Sequence, residues 1–531
     1  MPAARGAGPK PAPPSSPIFA LPLRRPAGQR ARTPSYPMTL SLVDWLIVLF
    51  YLAVCLAAGL WMRRYVRGVE DFAVAGRAVH VNLGITSLAA TELGLVTVMY
   101  TAQLGYEKGF AGAIIGVLMA LGMFLVGKTG FVIEPLRNAG VMTIPELFEK
   151  RFSKKVRWLA GLFVALGGLL NMGIFLRLGG DFLVYATGMP PHYLEWVMTI
   201  LLGLVLLYTA FGGMLSVLVT DYIQFLVVGT GLVVTSVLVI THIGWENLIN
   251  GLNTAWTASG GQSAHPFNPF HASSFGAGYL IWQFIFQIAC ATTWQTQISR
   301  LLSAKDAKTG RQMYSRAAFY FVGRFALPGL WGAAAFVYFT QRGGLPANLN
   351  SLTAMPTFLS TLLPMGLLGL VVAAMIAAEM STVSGYMLTW ETVIYNDLVM
   401  PCLKKPLSPK GQMLLTRGLL LGIAVFLLFY GLWYQLPGNA WDYLAVTGNI
   451  YIASVFTLLI SALYWPRATT TGAFAALILG AIGPLTFLVV NAVVDKSHQI
   501  APEIAGVSSF GLAFAGMLIG SLLTPAKPIQ K

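Results

Sequence analysis

Acids are scarce in this chain, 19 Asp and Glu against 34 Lys and Arg, and charged residues of both signs make up only 10% of 531 residues. A soluble domain carries roughly 25% charge, so a water-facing surface of ordinary extent is excluded. Cysteine is nearly absent too: Cys55, Cys290 and Cys402 have neither metal-ligand spacing nor a paired framework, which excludes a disulfide scaffold or a cysteine-held metal. The six His are scattered, and HExxH, a Walker loop, GxSxG and a Cys/His cluster are all missing, so nothing argues for an enzyme. The formal charge of +15 lies in short clusters between apolar runs rather than on one basic module. That pattern reads as membrane topology, not as a nucleic-acid footprint.

What is present is apolar: 56% of the residues are hydrophobic, and the chain reads as an all-α polytopic membrane protein in a lipid bilayer. Hydropathy places spans near 41–62, 82–103, 110–133, 157–187, 194–211, 216–241, 276–299, 313–340, 358–395, 412–434, 441–464, 470–492 and 504–523, about thirteen helices in a transmembrane region of 41–523. Residues 1–40 form a Pro- and Arg-rich tail expected to be disordered, and 524–531 a short tail at the other end. The first tail lacks the apolar core and cleavage site of a signal peptide. Met38 stands directly before the first apolar run, so a mis-called start codon is an open reading.

Alternate connections carry the cations: Arg63 to Arg77, Arg137 to Arg157, Arg300 to Arg316, Lys404 to Arg417, Arg467, and Lys527 with Lys531. The others hold only Lys108, Arg342 and Lys496. The positive-inside rule makes the first set cytoplasmic, with the C-terminus inside and the N-terminus outside a plasma membrane. The basic tail conflicts with that placement, a second reason to question the start. Gly244 to Phe275, without Lys or Arg, reads as an extracellular loop. Thr143 to Arg157 reads as a short helix on the cytoplasmic membrane surface, its apolar side formed by Ile144, Leu147, Phe148 and Phe152.

Polar groups inside the spans mark the candidate sites. In Gly366 to Asp397, Ala378 shares a helix face with Ser381 and Thr382, so one carbonyl and two hydroxyls offer hard ligands to a small cation. The competing reading is close packing of small residues with hydroxyls bonded back to the helix. Glu379 beside them is an intramembrane acid, costly unless it serves a route for ion or substrate. The second span holds Glu92 between Thr91 and Gly94. Unwinding there would free the Ala90 and Leu93 carbonyls for a cation; alternatively the helix continues and Glu92 bonds a hydroxyl. Arg177 and Asp181, four apart, read as an ion pair. Arg324 either faces an aqueous cavity, where it would meet an anionic substrate, or pairs with Glu92 or Glu379. Tyr100, Asn171, Gln283, Gln287, Trp294 and Gln295 either line a small polar cavity or pack. Tyr208, Gly212-Gly213, Thr220-Asp221 and Gln224 suggest a tight turn, then a partly hydrated acid entering the next helix. Asp221 would suit a cation's exit, or serve as an N-terminal acid favoured by the helix dipole.

Four motifs carry a resemblance: DFAVAGR at Asp71–Arg77, YTAFGGMLSVLVTDYIQ at Tyr208–Gln224, QISRLLSAKD at Gln297–Asp306, and TGNIYIASVFTLLISALYWPRATTTGAFAAL from Thr447. With TIPELFEKRF they cover most of residues 41–490, and the chain resembles the sodium:solute symporter family of sodium/glucose, sodium/proline and pantothenate-type carriers. The resemblance implies a LeuT-like core of two inverted five-helix repeats, about 82–241 and 276–464, with solute and ion at the midplane beside broken first helices. It implies a sodium site of the Ala90, Leu93 and Ala378 carbonyls with the Ser381 and Thr382 hydroxyls, and a role for Asp221 in a second sodium site or the inward exit path. Glu92 falls where proline-type carriers have an acid at the helix break. Thr97 falls where sugar carriers place a hexose-contacting glutamine, and their aromatic inner gate is replaced around Cys290 and Ala291, so sugar is disfavoured. Glu379 and Arg324 depart from the family pattern and suggest an unusual solute cavity, with Glu92, Tyr100, Asn171, Trp294, Gln295, Arg324 and Glu379 as candidate solute contacts. The expected function is inward symport of a small polar organic solute with Na+ by alternating access, with no oligomer required. The alternatives are proton coupling through Glu92 and Glu379, or a transport-inactive membrane sensor of the same fold.

Overall fold

A computed structural model describes residues 40–525 except 406, 435, 437–438 and 495–497. Residues 1–39 of the expected disordered tail, with Lys496, Lys527 and Lys531, lie outside the described residues. Among the described residues there are twenty α-helices and no strand, only an isolated bridge between Val79 and Ala304.

In chain order these are α1 (Leu42–Trp61), α2 (Val69–Val74), α3 (Val81–Glu92), α4 (Leu95–Lys108), α5 (Ile114–Thr129), α6 (Ile133–Asn138) and α7 (Ile144–Arg151). There follow α8 (Lys154–Met172), α9 (Phe175–Thr187), α10 (Leu194–Ile243), α11 (Trp245–Ala258), α12 (Gly276–Thr293), α13 (Gln295–Ser303) and α14 (Ala307–Thr340). The chain continues as α15 (Ser351–Leu362), α16 (Leu367–Val393), α17 (Pro409–Trp433), α18 (Ala440–Tyr464), α19 (Thr470–Val493) and α20 (Pro502–Leu522).

Among the described residues, ten stretches are long and apolar enough to cross a bilayer. One of them, Pro191–Ile243, holds two crossings, because α10 breaks at Gly213 (φ 52°, ψ −145°). Its two arms run in opposite directions. The first ends beside α17, where Arg417 donates to the Ala210 carbonyl at 3.0 Å. The second returns along α1, with Ser216 on the Gly59 carbonyl at 2.7 Å and Gln224 on Tyr51 at 3.3 Å. Gly213 needs both its positive φ and its lack of a side chain, since a Cβ there would stand 2.6 Å from the Phe72 carbonyl oxygen on α2. The pairs α3/α4 and α12/α13 each form one broken crossing, which brings the count to the thirteen expected. The two breaks lie five crossings apart, the spacing expected of the first helices of two five-helix halves.

Burial sorts the crossings. The most apolar windows of α16 and α18 are 89% buried, against 22% for α1 and 28% for α17, so the first pair is the centre and the second faces lipid. In hydrocarbon no hydrophobic force separates helix from lipid, so contact depends on close approach of small residues. Thus a Cβ on Gly105 of α4 would overlap the Gly329 backbone of α14, and one on Gly332 would overlap the Ala102 carbonyl.

Three expectations change. Gly244 to Phe275 is not all loop: Trp245–Ala258 is helical, its Leu248 and Leu252 buried. The apolar stretch 358–395 is two helices, parted at Leu363–Gly366, where Pro364 precedes a glycine at φ 82°. Arg300 belongs to α13 with 1% exposure and is not a loop cation. The Thr143 segment is helical as expected: the Thr143 hydroxyl caps α7 by accepting from Glu146 N, and Ile144, Leu147 and Phe148 are buried.

Candidate functional site

The first break sets the geometry. α3 ends with Leu93 N donating to the Ala89 and Ala90 carbonyls at 3.0 and 3.2 Å, and Gly94 turns extended (φ −74°, ψ 164°) before α4 begins. The Thr97 hydroxyl then satisfies the Glu92 carbonyl at 3.1 Å. Gly94 is required by proximity: a Cβ would stand 2.9 Å from Thr382 Cβ and 3.0 Å from its Cγ2. Accordingly Thr382 donates to the Thr91 carbonyl at 2.8 Å. The break and the paired hydroxyls of α16 are therefore in direct contact, with Ala90 and Leu93 flanking the one and Ala378 one turn before the other.

Beneath them Asp221 gathers α3, α10, α13 and α16. Its carboxylate accepts from Ser381 at 2.5 Å, Ser87 at 2.6 Å and Thr91 at 3.2 Å. Arg300 Nη2 stands 3.9 Å from Asp221 Oδ2 and donates to the Thr91 hydroxyl at 2.8 Å. Asp221 is not the hydrated helix-start acid expected; it lies eight residues beyond the Gly213 break, with 0% exposure. The reason is that the reversal puts Gly213, not Asp221, at the end of the crossing.

On the other side of Thr382 lies a cavity of about 60 Å³, bounded by the first break, α9, α12, α14, α16 and α18. Glu92, Tyr100, Asn171, Trp294 and Arg324 line it, as does Thr97. Arg324 donates to Tyr100 at 2.9 Å and Thr97 at 3.1 Å, and its Nη1 is 3.5 Å from Glu92 Oε2. Arg324 thus both lines the cavity and faces Glu92, not Glu379, and the other Glu92 oxygen accepts from Thr296 at 2.7 Å. Asn171 donates to the Leu444 carbonyl at 2.8 Å and Thr447 at 3.2 Å. Trp294, the residue at the second break, donates to Tyr386 at 3.0 Å and stacks on Tyr451.

Two candidate solute contacts do not reach this cavity. Gln295 is buried on the far side of the second break, and Glu379 faces α9, where a Cβ on Gly179 would stand 3.0 Å from its Cδ. One residue along a helix rotates the side chain by about 100°, which carries Glu379 off the face shared by Ala378, Ser381 and Thr382. Arg177 and Asp181 pair at 3.4 Å as expected. The sequence reading missed Ser87, Thr296, Arg300 and Tyr386 as members of this region. Arg300 had a signal, since it follows Gln297 and Ser299 directly after an apolar run, but the positive-inside pattern absorbed it into a loop.

The comparisons agree with one another. The model of the "Sodium:solute symporter family" matches residues 72–480. A sodium/glucose cotransporter of Vibrio parahaemolyticus is 26% identical over 84% of this chain and 84% of its own length. A sodium/sialic acid symporter of Proteus mirabilis is 23% identical over 92% of this chain and 97% of its own. A high-affinity proline transporter of Bacillus subtilis is 24% identical over 80% and 88%. Among solved structures, the substrate-bound outward-open state of a Na+-coupled sialic acid symporter superposes with a TM-score of 0.78 at 22% identity, covering 92% of this chain and all of that one.

Proposed function

Because the chain belongs to the sodium:solute symporter family, a group of transporters and not enzymes, we propose that this multi-pass membrane protein carries a small polar organic solute inward with sodium by alternating access about a fixed midplane site. The carrying observation is the contact between the first break and α16, with Thr382 Oγ1 2.8 Å from the Thr91 carbonyl. Sodium would sit among the carbonyls of Ala90, Leu93 and Ala378 and the hydroxyls of Ser381 and Thr382. Those hydroxyls send their protons to Asp221 and to the Thr91 carbonyl, which leaves lone pairs on both oxygens for a cation. Asp221 is already met by three hydroxyls and faces Arg300, an environment that favours passing the ion inward over holding a second one. Sodium drives the cycle only through unequal affinity for the outward- and inward-open states. The cation bias supports a C-terminus inside and an N-terminus outside, family membership supports a plasma membrane location, and one chain suffices for the site.

Proton coupling draws support from one feature: both Glu379 carboxyl oxygens are buried without a hydrogen-bond partner among the described residues. Glu92, paired with Arg324, lends it none.

The test is Ser381→Ala with Thr382→Ala. The purified double variant should stay folded, with a sodium-free unfolding temperature lowered by the two lost buried hydrogen bonds, and should lose sodium-induced stabilisation and sodium-driven uptake. A wild-type sodium titration in that variant refutes the site, and uptake that follows a proton gradient and ignores sodium refutes the coupling ion.

A further inference from the structure

The solute cavity is walled by one acid and one base that answer each other poorly. Glu92 and Arg324 are 4% and 8% exposed, deep enough that each charge has lost most of its hydration. Taking two ions out of water is compensated only by close, well-aligned pairing, and a charge-assisted hydrogen bond runs at about 2.7–2.9 Å. Here the single approach is 3.5 Å, and Arg324 Nε has no partner among the described residues. Two of its donors go to Tyr100 and Thr97. The Tyr100 hydroxyl accepts from Arg324 and also bonds Thr97 beside it, so Arg324, its Nε uncommitted, presents donors to an anion with the Tyr100 hydroxyl next to it. Beside them, 3.5 Å from Arg324 Nη1, stands the Glu92 carboxylate.

We propose that the transported solute is a small zwitterion, its carboxylate held by Arg324 and Tyr100 and its ammonium by Glu92, with the carbon body against Trp294, Phe175 and Tyr386. This rests on the sodium-symport reading and narrows it. The two wall charges cancel, so a net anion would leave Glu92 facing a like charge, and a net cation would do the same to Arg324; either is costly in a site this dry. A polyol fits worse still. Its hydroxyls need several uncommitted partners, whereas the Asn171 amide donors are spent on α18 and the remaining wall is largely aromatic. Aromatic faces suit an ammonium and its attached carbons.

The experiment places the full chain in proteoliposomes under an inward sodium gradient. Outside is an equimolar mixture of L-alanine, L-proline and glycine betaine with propionate, lactate, choline and glycerol, and the accumulated compounds are read by mass. The expected result is sodium-dependent accumulation of one or more of the three zwitterions, at least about 10-fold above every singly charged or neutral compound, the discrimination a lost charged hydrogen bond gives. Equal or greater accumulation of propionate, lactate, choline or glycerol overturns the proposal and leaves sodium symport standing. Accumulation of none of the three zwitterions overturns the proposal, while the sodium titration of the Ser381 and Thr382 variant decides symport separately. Two variants address the assigned roles without depending on loss of function alone. Arg324→Lys, which keeps the charge and loses the fork, should raise KM about 10-fold with kcat little changed. Glu92→Gln should shift selectivity by about 10-fold from L-alanine toward propionate, and unchanged selectivity in that variant overturns the assignment of the ammonium to Glu92.

Discussion

Replacing Gly94 by alanine tests the ion site through shape alone, without replacing a proposed ligand. The added methyl would stand 2.9 Å from Thr382 Cβ and 3.0 Å from Cγ2, and closer still to Oγ1. Carbon atoms rest about 3.5–4.0 Å apart, so α16 and the break must separate by roughly half an ångström to one ångström. Overpacking of this kind costs about 1–3 kcal/mol. If the break opens to relieve it, the carbonyls near Ala90 and the hydroxyls of Ser381 and Thr382 no longer converge on one small ion, and the strain falls on the sodium-bound state. At 1.4 kcal/mol per factor of ten, sodium affinity drops about 5- to 150-fold. The assay is a sodium titration of thermal unfolding in detergent, with the sodium-free unfolding temperature separating general damage from lost affinity. The control is Gly229→Ala on α10, where a new Cβ meets nothing within 4 Å. There the sodium midpoint should not move, and the helix should gain a few tenths to about 1 kcal/mol from the better helix former. A Gly94→Ala protein with the wild-type sodium midpoint refutes the placement of the ion between the break and α16.

Two further outcomes test the packing. Asp397, with 0% exposure beyond α16, is held by Arg157 Nε at 2.8 Å and Thr143 at 2.9 Å, and Arg157 also reaches Glu149 at 2.6 Å. Arg157→Gln strands that buried carboxylate and should cost about 3–5 kcal/mol, while Arg157→Leu with Asp397→Leu should recover most of it; equal unfolding temperatures for the single and double variants would contradict this. Gly105→Val drives a branched side chain into the Gly329 backbone of α14 and should abolish folded protein on size exclusion, whereas Gly323→Ala, whose Cβ meets nothing within 4 Å, should elute and unfold as wild type.

The order and approximate extent of the crossings were legible because hydrocarbon forces continuous apolar runs, and the Gly212-Gly213 turn because glycine punctuates them. The break at Leu93–Gly94 was legible only as one of two readings, since the same Thr91-Glu92-Gly94 string is compatible with a continuous helix. What decides it is Thr382, nearly three hundred residues away, whose bulk leaves no room for a side chain at position 94. Glu379 shows the opposite failure. Adjacency to Ser381 suggested a shared site, but a helix face is set by spacings of three and four, and the neighbour of a ligand points elsewhere. Asp221 and Arg300 were each read by distance from a span end, which misjudges depth wherever a crossing reverses or breaks. Their hydration was therefore overestimated.

The two proposed sites meet at two consecutive residues. Thr91 offers its carbonyl to Thr382 and its hydroxyl to Arg300 and Asp221, while Glu92 reaches Thr296 and Arg324. Helices α10, α13, α14 and α16 thus meet at one unwound point, where a shift of one residue moves its neighbour's backbone. A zwitterion that takes Arg324 and Glu92 as its partners relaxes their strained approach and fixes the Glu92 peptide. That peptide leads into the carbonyls proposed for sodium. Sodium, arriving first, orders the same peptides and presents Glu92 to the solute in place, so each ligand removes part of the ordering cost of the other. Such mutual stabilisation is reciprocal by linkage: whatever factor sodium adds to solute affinity, solute must add to sodium affinity. Measuring both factors on one preparation, by solute titration at fixed sodium and sodium titration at fixed solute, decides whether the break is the coupling element. Equal factors that both collapse in Gly94→Ala place the coupling there. Equal factors that survive it place the coupling in α16 or beyond.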